Sequence, residues 1–105
     1  MTTLDNRERA FEDKFARDAD LEFKVMARRD RLVGLWAAEK LGKTGEEAAA
    51  YAASIVIVDF EEPGEEDVFN KLFADLVGIA TEAEIRDHMA TTLVEARHQV
   101  LVAGE

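Results

Sequence analysis

Few residues of this chain are of types that could do chemistry, and their spacing argues against most of it. Glu95-Ala96-Arg97-His98 sets a carboxylate and an imidazole three residues apart on one side of a helix, the spacing that di-iron bundles use. Such a centre takes two of these pairs and two further inward glutamates. Here there is one pair, and His88 lies roughly 80° round the same helix. Both histidines read as surface residues, and no metal site is expected. Asp59, Glu61, Glu62, Glu65, Glu66 and Asp67 form an acidic run without the regular oxygen spacing of a calcium loop. It reads as a solvated turn with acids at a helix start. The chain has no cysteine, a single serine at Ser54, no Gly-x-Ser-x-Gly and no glycine-rich phosphate loop. Neither a catalytic residue nor a cofactor is expected, and the chain does not read as an enzyme. What remains is the basic cluster Arg28, Arg29 and Arg31, with Asp30 embedded in it. The embedded acid and an acidic body disfavour nucleic acid. A phosphate ligand such as an adenine nucleotide could still meet these guanidinium groups.

The elements that must carry these residues are helices. From Leu4 to Leu41 there is no proline and one glycine, Gly34, and Gly42 suits a left-handed cap. At about 1.5 Å per residue that segment spans roughly 57 Å, about twice the length of most later helical segments. Thr44-Gly45-Glu46-Glu47 is a capping box opening a helix over 45–61. Within it SIVIVDF has strand propensity, but a lone strand has no pairing partner, so it reads as helix buried on all sides. Glu61-Glu62-Pro63-Gly64 breaks the chain. The third helix carries the stripe Val68, Phe69, Leu72, Phe73, Leu76 and Val77. Thr81 and Glu84 form a second capping box, and Ile85, Met89, Leu93, Ala96, Val100 and Leu101 share a face of the fourth helix. The end, 102–105, is expected to fray. Short connections of two to four residues make neighbours antiparallel. The fold class is all-α, an antiparallel four-helix bundle over 19–105.

The first helix does not carry one apolar seam along its whole length. Leu21, Val25, Leu32, Leu35 and Trp36 lie on one arc, with Met26 and Val33 at its edge. The same arc continued backwards meets Asp18, Lys14 and Arg7. Ahead of it Leu4, Phe11 and Phe15 form a narrower stripe, rotated to one side. Residues 1–18 therefore read as an N-terminal arm, mobile and only partly helical until a partner orders it. Burying both phenylalanines yields roughly 3–6 kcal/mol. Ordering fifteen or so residues costs on the order of 15–30 kcal/mol, partly recovered in helix hydrogen bonds. Arg7, Glu8, Arg9, Glu12, Asp13, Lys14 and Arg17 must then find complementary charges, so binding should weaken with salt.

Charge follows the same division. Residues 1–32 hold eight basic and eight acidic side chains, whereas the whole chain of 105 residues carries −10. An acidic body disfavours anionic membranes, and no stretch has transmembrane length, so no direct membrane insertion is expected. A soluble cytoplasmic protein is the default for a chain with no signal-peptide pattern and no cysteine.

RERAFEDKFARDADLEFKVMARRDRLVGLWAAEKLGKTGEEAAAYA, followed by VDFEEPGEEDVFNKL, resembles the zeta subunit of alphaproteobacterial F-type ATP synthases. The similarity covers nearly the whole chain, and RLVGLWAAEKLGKTG is its most specific stretch. The resemblance implies a regulatory inhibitor of ATP hydrolysis, made of a four-helix bundle and an inhibitory N-terminal segment. In that family the segment enters a catalytic alpha/beta interface of the synthase head near the gamma rotor and becomes helical there. Hydrolytic rotation jams, while rotation in the synthetic direction proceeds. Carried onto this chain, Leu4, Phe11 and Phe15 would be apolar anchors. Arg7, Glu8, Arg9, Lys14 and Arg17 would be charged contacts to the alpha, beta and gamma subunits. The protein would then sit peripherally at the inner membrane whenever it is bound to the synthase.

Overall fold

A computed structural model of the chain describes the backbone of residues 3–61 and 65–102 and the side chains of 19–61 and 66–102. Four helices follow one another: α1 Thr3–Lys40, α2 Gly45–Glu61, α3 Glu65–Asp75 and α4 Glu82–Val102. No strand occurs among the described residues. α1 runs against both α2 and α4 with opposite polarity, and α3 closes the bundle between those two.

Local chemistry sets the boundaries. Gly42 has φ +77°, as its capping role requires. Around it the Lys43 amide donates to the Ala38 carbonyl at 2.9 Å and the Gly42 amide to the Glu39 carbonyl at 3.0 Å, a Schellman close. The Thr81 box is formed in full. The Glu84 amide donates to Thr81 Oγ1 at 3.1 Å and the Thr81 amide to Glu84 Oε1 at 3.0 Å. These bonds from the Thr81 amide and hydroxyl hold the Glu84 carboxyl below its usual range. The connection 76–81 is longer than the expected two to four residues, because α3 stops at Asp75 and Leu76 packs into the core from the turn that follows.

The core has two parts. Val33, Ala37, Ile55, Val68, Phe69, Leu72, Leu76, Ile85 and Met89 join all four helices at one end. Val25, Ala96 and Val100, with Leu21, Leu32 and Leu93 packed against them, join only α1 and α4 at the other. α1 enters this core rotated from the expected arc. Val33 lies at the centre of the buried face rather than at its edge, Ala37 and Ala38 are buried beside it, and Leu35 faces outward. The reason is that α1 is flanked on two sides and buries a face wider than one amphipathic stripe. Gly34 permits that arrangement: a Cβ there would stand 2.8 Å from the Ala52 Cα. Three further expectations are corrected by the same geometry. SIVIVDF is helical but not buried all round, since Ile55 is enclosed while Ile57 is 53% exposed. Phe73 and Val77 on the third stripe, and Leu101 on the fourth, face outward too. Each helix here has neighbours on only part of its circumference.

Candidate partner-binding surface

The side chains of the arm residues Leu4, Arg7, Glu8, Arg9, Phe11, Lys14, Phe15 and Arg17 lie outside the described residues. Their backbone belongs to α1, a helix of 38 residues beside 17 in α2 and 21 in α4. At about 1.5 Å per residue α1 exceeds either neighbour by at least roughly 25 Å.

The basic cluster does not form one patch. Arg28 is at the surface, where its guanidinium donates to Gln99 Oε1 at 2.9 Å, and Arg31 is exposed. Arg29 is wholly buried, and its Nε donates to Asp30 Oδ1 at 2.8 Å. A nucleotide phosphate at the surface can therefore meet Arg28 or Arg31 but not Arg29. The expected ligand trio is thereby reduced by one. Stripe counting missed this because α4 and α2 close over positions 29 and 30 from both sides.

His88 is half-buried rather than a free surface residue. Its ring stacks on Trp36 with centroids 4.0 Å apart, and its backbone carbonyl accepts from Thr92 Oγ1. Glu95 accepts from Gln99 Nε2 at 3.1 Å, and His98 is exposed. Among the described residues no three metal-ligating side chains converge.

Beside the stretch of α1 whose Val25 packs on Ala96 and Val100 of α4, a groove of about 530 Å³ opens between α1 and α2. Its walls are Phe23, Met26, Ala27, Val56 and Phe60, and its polar residues are Glu22, Asp30 and Asp59. The rings of Phe23 and Phe60 lie 5.0 Å apart at 55°, and both are more than half exposed at 54% and 55%. At the rim Glu22 also accepts from Arg97 Nη2 at 3.2 Å, which ties α1 to α4.

The floor holds an unusual acid. Burial, together with a hydrogen bond to Asp59, pushes the Asp30 carboxyl up to about 8, against the pull of Arg29. Asp30 Oδ2 is buried, and no donor among the described residues reaches it. Burial is the larger cause, so Asp30 holds its proton to a higher pH than an ordinary aspartate does. Sequence reading placed Asp59 in the solvated acidic turn and Asp30 in the basic cluster. The available signal was an aspartate four positions before Gly34, one step from Arg29 at the centre of a buried helix.

The family model described as ATPase inhibitor subunit zeta matches residues 1–99. A solution NMR structure is similar to the chain at a TM-score of 0.73 and 48% sequence identity, covering 79% of this chain and 98% of that one. Among curated proteins none matches.

Proposed function

This chain belongs to the ATPase inhibitor subunit zeta family, and from that premise we propose that it blocks ATP hydrolysis by inserting its N-terminal segment into the F-type ATP synthase head. The observation that carries the reading is a family match that includes the overhanging arm as well as the bundle. A helix of 38 residues cannot be covered by partners of 17 and 21, so part of it is left for another surface. No described helix is long and apolar enough to cross a membrane.

In this reading residues 1–18 are the inhibitory arm and 19–105 the domain that carries it. Phe11 and Phe15 anchor the arm at a catalytic alpha/beta interface near the gamma rotor, and Arg7, Arg9, Lys14 and Arg17 pair with acids there. The bundle, too wide to follow, sets how far the arm enters. Two aromatic anchors do not offset the ordering of the arm, so the ion pairs make inhibition salt-sensitive.

The test compares the full chain with one lacking residues 1–18 against a purified cognate synthase head, read as ATP hydrolysis. Equal inhibition by both removes the arm from the mechanism. Phe11→Ala with Phe15→Ala is expected to weaken inhibition and leave the melting temperature in place; a large melting drop would assign both rings to the core instead.

A further inference from the structure

We propose that the groove between α1 and α2 seats one end of an amphipathic helix of the synthase head, laid along α1 in line with α2. That the partner is the synthase head rests on the function proposed above; that the occupant is a helix rests on the register of α1.

Steps of four, three and four residues stay on one side of an α-helix, because an 11-residue repeat runs at about 3.67 residues per turn. In α1 such steps lead from Ala37 and Val33 through Met26 and Ala19 to Phe15, Phe11 and Leu4, with acids at positions 8, 22 and 30 between. At the Val33–Ala37 end α2 covers this side: both residues are buried, and Ile55 joins their cluster. Burial then lapses along the register, since Met26 is half-buried and Ala19 is exposed. The cause is the length of α2. It passes Gly34 at Ala52 and its Phe60 ring meets that of Phe23, so its last residue, Glu61, stands about level with residue 25 of α1. The side that α2 uses continues from there to Leu4, roughly 30 Å further along α1. Phe23 and Phe60, each more than half exposed, mark where the covered part ends.

A helix is the element this side of α1 fits. α2 packs on it as one, and a partner helix with apolar residues at the same spacing continues that packing along α1 towards Leu4. Its end enters the groove against Met26 and Val56 and covers the rings of Phe23 and Phe60. An extended segment would bring backbone N–H and C=O groups against apolar walls that offer them no partners, whereas a helix arrives with its own satisfied. A second copy of this chain is disfavoured by charge, since each copy carries −10. Arm and groove also belong to one helix. A surface that takes the arm along this register meets Phe23 about 12 Å beyond Phe15, so the groove extends the arm's interface.

The test uses the full chain and a purified cognate synthase head. Photo-crosslinkers placed singly at Ala19 and at Met26 should capture one segment of one subunit of the head, at residues about seven apart, as two helices side by side require. Sites about three apart, which an extended strand would give over the same distance, sites on separate segments, a second copy of this chain, or no capture overturn the proposal. A second measurement is the half-inhibitory concentration. Phe23→Ser with Phe60→Ser should raise it roughly tenfold, and Ile57→Ser, exposed on α2 outside the groove, should leave it unchanged. An unchanged value for the double variant with an unchanged melting curve overturns the groove as part of the interface, and so does an equal rise for Ile57→Ser. If the double variant melts early, the crosslinks alone decide. A wild-type chain that fails to inhibit sinks the proposed function; crosslinks about seven apart would then still support the docking site, and their absence overturns it.

Discussion

Replacing Asp30 with asparagine separates two descriptions of the buried acid. If Asp30 is an ionised partner of Arg29, asparagine removes half of a buried ion pair and costs about 3–5 kcal/mol at every pH above the carboxylate range. If Asp30 is protonated and bonded to Asp59, asparagine is nearly its copy. The amide oxygen still accepts from Arg29 Nε, and the amide nitrogen still donates to Asp59. The sign of the pH dependence follows from the raised value of about 8. The folded chain keeps this proton where the unfolded chain, with an ordinary aspartate near 4, has lost it. Its stabilising effect is complete below about pH 4, falls as pH rises and levels off above about pH 8. Each unit is worth about 1.4 kcal/mol at most, and the groove admits water on one side, so a fall of roughly 2–4 kcal/mol between pH 5 and pH 8 is expected. Urea unfolding of wild type and Asp30→Asn at both pH values measures it. The variant should show a flatter profile and exceed wild type in stability at pH 8. A variant weaker than wild type by the same amount at both pH values would refute the protonated pair.

Two further substitutions test the helices that hold the groove. Gly34→Ala ordinarily gains up to about 1 kcal/mol of helix propensity, but its Cβ would stand 2.8 Å from backbone at Ala52, which no rotamer change relieves. Overpacking at about 1–3 kcal/mol outweighs the gain, so a melting temperature lower by several degrees is expected in a thermal scan, and a rise would show that α1 and α2 are free to separate. Thr81→Ala removes the hydroxyl that caps α4 and should cost about 1 kcal/mol in urea unfolding; no measurable loss would mean that packing alone sets that helix start.

How much of the molecule is legible in the chain depends on the range of the interaction. Gly42 and the Thr81–Glu84 box mark helix ends in residues adjacent in sequence, and those bonds form as the spacing requires. The stripe Ile85, Met89, Ala96 and Val100 is buried as its period implies. Leu35, Ile57, Phe73 and Leu101 are equally apolar and lie outside, because hydrophobicity does not say on which sides a helix has neighbours. Arg29 misleads most. By type it belongs at a surface, and only the closure of α2 and α4 over α1, together with a bond to Asp30, keeps it inside.

The sequence by itself determined an all-helical chain, its four segments, the ends marked by Gly42 and Thr81, a first helix longer than its neighbours, and a family resemblance. These depend on caps, periodicity and length, all of which act along the chain. The tertiary structure alone decided the rotation of α1 about its axis, the burial of Arg29 and Asp30, the meeting of Asp30 with Asp59, and the groove between Phe23 and Phe60. Those features join residues some thirty positions apart or more, through the close approach at Gly34. How near two helices come is set by packing volume, which no local pattern encodes.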